Sequence, residues 1–217
     1  MINAILFDLD GTLLNTIEDL MDAANFAISK FGYPKTGLES VRRNIGNGIL
    51  MLLKRTVNFD DTHIDEIHER FKLYYKDNCN NHTIPYDGII DVLDYIKSKG
   101  IHLGVVTNKA YFAAKVLIES HFPGYFDMIL ADQMDLGLKR KPDPSMIGYY
   151  ISKYNLNRDE VLYVGDSNVD IETIKNAKVN GAIVSYGFRD EEELLKLTDK
   201  TYRNTTELLD FIKSVTL

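Results

Sequence analysis

The sequence predicts an α/β protein: a doubly wound, Rossmann-like parallel sheet core with an inserted helical cap domain. Three observations lead there. From Pro85 onward, short apolar runs alternate with amphipathic helical stretches, the pattern of parallel βαβ units. A first apolar run, Ala4 to Phe7, stands alone near the N-terminus, with no further strand until residue 101. Between them, residues 15–82 carry helical periodicity without a convincing strand, so they read as an insertion. The expected division is a core made of 1–14 and 83–217 and a helical domain over 15–82.

Each element has its own reason. Ala4 to Phe7 is wholly apolar, as a strand buried on both faces must be. Asp8 and Asp10 follow, and in an extended chain both project to the same side, crowding two carboxylates into one place. Like charges that close need a cation or a proton between them. Gly11 lets the backbone turn and approach a bound group. Taken alone, the pair reads equally well as ordinary strand-end and loop aspartates. Ile17, Leu20, Met21, Ala24, Ile28 and Phe31 then recur at helical spacing until Gly32 and Pro34. Residues 38–78 continue as helical patterns, clearest at Ile64, Ile67, Phe71, Tyr74 and Tyr75. The core resumes with a helix closed by Gly100, a strand over 101–107, a helix over 110–121 and a strand over 126–131. A helix over 144–154, a strand over 161–165, a helix over 168–177 and a strand over 181–186 follow. Helices over 191–196 and 205–213, with a short strand near Thr201, complete it.

Composition narrows the function. The 217 residues suffice for one domain with an insertion, and 45% hydrophobic with 26% charged residues is ordinary for a soluble globular chain. A net charge of −7 gives no general attraction to nucleic acid or to an anionic membrane. Against that background stand two basic clusters, Arg42 with Arg43 and Lys139 to Lys141. Cys79 is the single cysteine, so no intrachain disulfide forms, and its asparagine neighbours offer no cation to activate a thiolate. The five histidines lack metal-ligand spacing, which argues against zinc. No signal-peptide pattern opens the chain, and no stretch reaches the ~18 apolar residues of a membrane span. The expectation is a cytoplasmic monomer or homodimer with neither nucleic acid nor membrane as a partner.

In an open parallel sheet, ligands bind beyond the carboxyl ends of the strands. There the sequence places Asp8 and Asp10 after the first strand and Thr107, Asn108 and Lys109 after the second. Lys141 follows the third, in "LKRKPDP", and Asp166, Ser167 and Asp170 follow the fourth. Four carboxylates, with hydroxyls and lysines beside them at one edge, suit a phosphoryl group. Carboxylates are hard ligands for Mg²⁺, which binds through one or two of them plus phosphate oxygens. A lysine and backbone N–H groups can hold the remaining phosphate oxygens. An aspartate can attack phosphorus only where cations offset its own charge. Singly, Asp166 or Ser167 could cap a helix and Asp170 could answer a helix dipole. Those separate explanations must all hold at four successive strand ends.

The motifs "DLDGT", "VVTN", "KPDP" and "GDSNVDI" resemble, in order and spacing, the four motifs of the haloacid dehalogenase superfamily of phosphotransferases. The resemblance covers essentially the whole chain. It implies that Asp8 is the nucleophile and that Asp10 protonates the leaving oxygen and then activates water. It further implies Mg²⁺ held by the Asp8 side chain, the Asp10 main-chain carbonyl and Asp166, supported by Asp170. Thr107 and the Asn108 amide would bind phosphate oxygens, with Gly11, Thr12 and Lys109 beside them, and Lys141 would neutralise nucleophile and phosphate. Within the superfamily, "RRNIGNG", "PYDG", "TNKA" and "SYGFRDEEEL" are similar to the phosphoglycolate phosphatase family. That implies hydrolysis of a small phosphorylated substrate, 2-phosphoglycolate. On that reading the "IGNG" turn (Gly46, Asn47, Gly48) offers backbone N–H groups to an anion, and Arg42 or Arg43 grips a carboxylate. The alternatives are a pyrophosphatase, a sugar-phosphate phosphatase or a β-phosphoglucomutase of the same superfamily. The mutases carry a histidine where this chain has Leu20. From other classes, a receiver-like phosphoacceptor domain and a non-catalytic interaction protein remain.

Overall fold

The computed structural model describes residues 1–132, 134 and 136–216. The chain forms two compact units: one comprises residues 1–15 and the chain from Pro85 onward, the other Thr16–Ile84. The first unit opens with β1 (Ala4–Phe7) and resumes with α5 (Ile89–Ser98), β4 (His102–Ala110), α6 (Tyr111–His121) and β5 (Met128–Asp132). It continues through α7 (Ser145–Tyr154), β6 (Val161–Gly165), α8 (Asn168–Ala177), β7 (Asn180–Ile183), α9 (Glu191–Leu194) and α10 (Thr205–Val215). Two short strands, β2 (Leu14–Asn15) and β3 (Ile84–Pro85), pair where the chain passes between the units.

The main sheet has five strands in the order β5-β4-β1-β6-β7, and every pairing is parallel. It is an α/β fold with helices on both faces. Strand alternation sorts the core: Ile5 and Phe7 join Leu103, Val105, Leu162 and Val164 on one face, where α5, α6 and α10 cover them. Ala4 and Leu6 join Val106, Val161 and Tyr163 on the other, against Met146, Ile147 and Tyr150 of α7. β1 is central, flanked by β4 and β6. The chain therefore reverses its winding direction beside β1, and the crevice at the carboxyl end of this reversal is where such sheets bind ligands.

The second unit is helical: α1 (Ile17–Ile28), α2 (Leu38–Asn44), α3 (Ile49–Thr56) and α4 (Ile64–Asn78). Leu20, Ala24, Ile28, Leu52, Ile67 and Phe71 are buried. Arg70 donates to the carbonyls of Phe26 and Ala27, satisfying acceptors that the end of α1 leaves open. Asp19, 1% exposed, accepts from the backbone N–H groups of His82 and Thr83 and from the Thr83 hydroxyl. The two ends of the unit are thus tied by one carboxylate.

Several boundaries differ from expectation for local reasons. The first helix stops at Ile28, a turn before Gly32, which takes a left-handed φ of +76°. Helicity over 38–78 breaks at Gly46 and Gly48 and again at Asn58 and Phe59, all with positive φ. The expected strand over 181–186 ends at Ile183, and the segment near Thr201 contributes a single bridge, Val184 with Tyr202. No helix among the described residues is long and apolar enough to cross a membrane.

Two glycines test the layered packing. A Cβ at Gly104 would overlap the Tyr150 ring and Leu6, whereas one on Gly148, inside α7, would meet nothing. Gly104→Ala is expected to destabilise by about 1–3 kcal/mol through overpacking. Gly148→Ala should stabilise by roughly 0.5–1 kcal/mol through helix propensity. Urea denaturation of the two variants checks the opposite signs.

Candidate active site

The carboxyl ends of β1, β4 and β6 converge. The Asp8 backbone N–H donates to the Val164 carbonyl, continuing the β1–β6 ladder one residue beyond the strand. Glycine makes the approach of the carboxylates possible. A Cβ on Gly11, whose φ is +87°, would overlap the Asp166 carboxylate, and one on Gly165 would overlap that of Asp170. Asp8, Asp166 and Asp170 are all buried, and each offers an oxygen within 4.8 Å of the others.

Lys141 is the cation among them. Its ammonium lies 2.8 Å from Asp8 Oδ1, 2.7 Å from Asp170 Oδ1 and 2.9 Å from the Tyr163 hydroxyl. The ammonium donates to Asp170 and Tyr163 and is paired with Asp8 by charge. The Lys141 backbone is held in turn by Asn108: its N–H donates to Asn108 Oδ1 at 2.7 Å, and Asn108 Nδ2 donates back to its carbonyl at 3.0 Å. The Asn108 side chain thus fastens the "KPDP" loop to the end of β4.

Asp170 is saturated. Oδ1 accepts from Lys141 and from Tyr163 at 2.8 Å, while Oδ2 accepts from the Ser167 hydroxyl at 2.6 Å and from the Ser167 and Asp166 backbone N–H groups. Burial pushes the Asp170 carboxyl up, but Lys141 and the hydrogen bonds from Ser167 and Tyr163 outweigh it and hold its pKa below the usual value. Asp8 goes the other way. Burial raises it to about 6, with Lys141 opposing and the Asp170 and Asp10 carboxylates adding to the rise. Burial, with Asp170 and Asp8 nearby, raises Asp166 well above its ordinary value, although Phe188 N–H donates to its Oδ2 at 2.7 Å.

A divalent cation fits this donor set. Asp8 Oδ1 is buried within ion-pairing reach of Lys141, yet no donor among the described residues meets it in hydrogen-bonding geometry. Beside it, burial disfavours the ionised form of Asp166, which a cation would restore. The oxygens are hard ligands of the kind Mg²⁺ takes.

Asp10 stands apart from that cluster. Its Oδ1 accepts from Lys109 Nζ at 2.8 Å, and the lysine side chain is only 1% exposed. Thr107, 1% exposed, accepts from the Lys109 backbone N–H at 3.2 Å. Thr12 is buried, and its hydroxyl has no hydrogen-bond partner among the described residues.

The remaining sequence candidates belong to the helical unit. Arg42 and Arg43 both pair with Glu39 on their own helix, at 3.1 and 2.8 Å, and the Arg43 side chain is 74% exposed. Gly46 and Gly48 flank Asn47 with φ of +116° and +85°. Arg55, which sequence reading passed over, donates to the Asn44 carbonyl and to Asn47 Oδ1 and so braces that turn. Tyr163 was also missed. Its signal was a phenol inside the otherwise aliphatic "VLYVG" strand, where a buried hydroxyl must find a partner.

Comparison with known proteins agrees with this geometry. The family model described as haloacid dehalogenase-like hydrolase matches residues 5–184. A phosphoglycolate phosphatase of Thiobacillus denitrificans is 33% identical over 194 residues, covering 86% of this chain and 85% of that protein. Phosphoglycolate phosphatase 1 of Pseudomonas aeruginosa is 31% identical over 191 residues, covering 85% and 70%. Among solved structures, a protein of Lactobacillus delbrueckii subsp. bulgaricus provisionally identified as a phosphoglycolate phosphatase superposes with a TM-score of 0.89. It is 31% identical, with 99% of this chain and 98% of that one covered. With four strand-end motifs gathered at one edge and a family match over most of its length, the chain belongs to the haloacid dehalogenase-like hydrolases.

Proposed function

We propose that the protein is a Mg²⁺-dependent phosphomonoester hydrolase that works through an aspartyl-phosphate on Asp8 and acts on a small metabolite, 2-phosphoglycolate. The observation that carries this reading is the buried contact of Asp8 with Lys141, beside Asp166 and two residues from Asp10. The names of the relatives support the substrate.

On this reading an Asp8 oxygen attacks phosphorus and the bond from phosphorus to the ester oxygen breaks. Asp10 gives its proton to that leaving oxygen. Asp10 then takes a proton from water, whose oxygen attacks phosphorus and breaks the bond to Asp8. Lys141 offsets the charge of Asp8 against the incoming phosphate, and Thr107 with the Asn108 N–H holds phosphate oxygens. Asp8, the Asp10 carbonyl and Asp166 would hold the metal, with Asp170 orienting the group through Lys141 and Ser167. When bound, Mg²⁺ supplies positive charge that offsets the phosphoryl oxygens and the buried carboxylates. Arg42, one of the two arginines that the resemblance offers for the role, binds the substrate carboxylate.

Linkage gives a test independent of turnover. Asp8 and Asp166 have raised pKa values in the metal-free fold, so the native state holds protons that the unfolded chain has released. Their stabilising contribution is present below the ordinary carboxylate value and is lost as pH rises through about 6 for Asp8. In chelator, the Tm of the wild type should therefore fall between pH 5 and 7.5 relative to that of Asp166→Asn, which removes one of these groups. Added Mg²⁺ should raise the wild-type Tm more at the higher pH. A Mg²⁺ shift independent of pH and retained in Asp166→Asn would refute the metal site.

Phosphate release tests the substrate. Wild type should turn over 2-phosphoglycolate with higher kcat/KM than pyrophosphate or sugar phosphates. Arg42→Ala should raise KM for phosphoglycolate by about tenfold or more, as loss of a charge-assisted hydrogen bond would. An aryl phosphate without a carboxylate should be little affected. Equal effects on both substrates would remove Arg42 from carboxylate recognition.

A further inference from the structure

Two buried lysines serve the carboxylates at the end of β1, and they divide them. Lys141 pairs with Asp8 and Asp170, whereas Lys109 pairs with Asp10. Burying the Lys109 ammonium at 1% exposure carries a desolvation cost, and such a pair is often no more stable than an apolar replacement. Stability alone is therefore a poor reason for it. The pair also joins two strand ends: β1 and β4 are neighbours, in register up to Phe7 and Val105, and Lys109 reaches across to the residue three beyond Phe7. The Lys109 backbone N–H meanwhile occupies Thr107 Oγ1 as an acceptor, which leaves that hydroxyl's own proton to be donated elsewhere.

We infer that Lys109 is a positioning residue for the proton-transfer carboxylate: its ammonium, bound to Oδ1 at 2.8 Å, fixes the orientation of Asp10. The Asp10 proton goes to the leaving oxygen as the phosphorus–oxygen bond breaks, and Asp10 regains a proton from the attacking water. The inference rests on the reading of Asp10 as acid and base given above.

The test is leaving-group dependence. Lys109→Met keeps the length of the side chain and removes its charge. Single-turnover phosphoryl transfer to Asp8 is measured for an alkyl phosphate, whose leaving oxygen needs a proton, and for a nitrophenyl phosphate, whose leaving group departs without one. Lys109→Met should slow the alkyl reaction at least about tenfold more than the aryl one, since general acid catalysis contributes ~10²–10⁴-fold. Asp10→Asn should show the same pattern, and the double variant should be no slower than Asp10→Asn alone, as coupled residues require. Equal slowing of both substrates by Lys109→Met, or additive losses in the double variant, would overturn the inference. If Asp10→Asn discriminates between leaving groups and Lys109→Met does not, the inference falls and the acid–base reading stands. If Asp10→Asn itself does not discriminate, both fall. Should Lys109→Met fold poorly, Lys109→Gln, which keeps a donor without the charge, carries the same comparison.

Discussion

The site depends on one buried ammonium. Asp8, Asp166 and Asp170 lie within 4.8 Å of one another in an interior where their mutual repulsion is poorly screened. Lys141 places its charge against two of them and against the Tyr163 hydroxyl. The surroundings then serve to hold that ammonium in place. Asn108 fastens its backbone to β4, Tyr163 meets it from β6, and Asp170 is fixed from the far side by Ser167. Loss of Lys141 would leave Asp8 and Asp170 buried without their counter-charge, which costs more than breaking a surface pair.

The arrangement distributes charge unequally, and the inequality is chemically useful. Asp170 receives five donors and is kept ionised, whereas Asp8 and Asp166 remain strained by burial. A saturated carboxylate is a support, while an undersatisfied one is available to bind a cation or to attack. The glycines at 11 and 165 allow this crowding, since a Cβ at either would enter a carboxylate. Asp10 is served by a separate lysine, so Asp10 and Asp8 answer to different cations.

Much of this was legible in the sequence because strand order and chemistry are both local signals. Alternating apolar runs and helices define the doubly wound sheet, and the residues behind each strand fall at its carboxyl edge whatever the loops do. Side-chain partners were less legible. Nothing in "VVTNK" says that Asn108 turns its amide onto Lys141 or that Lys109 turns its ammonium onto Asp10, since both depend on neighbours about 30 and 100 residues away. Tyr163 was hidden for a similar reason: in a strand it reads as a core aromatic, and the partners of its hydroxyl, Lys141 and Asp170, lie outside that strand. The helical unit was legible in kind but not in its breaks, which fall where positive φ at Gly46, Gly48, Asn58 and Phe59 interrupts an otherwise helical pattern.

The central claim is that Asp8 becomes phosphorylated, and it can be read on the protein itself. Asp10→Asn keeps the nucleophile and Lys141 but lacks the group that activates water, so it should accumulate the intermediate. The variant is mixed with Mg²⁺ and an aryl phosphate, quenched in acid and digested, and its peptides are weighed. The account predicts one phosphoryl group on the peptide containing Asp8, absent when Asp8→Asn is added. An unmodified Asp8 peptide, while the same sample releases the phenol, would contradict it.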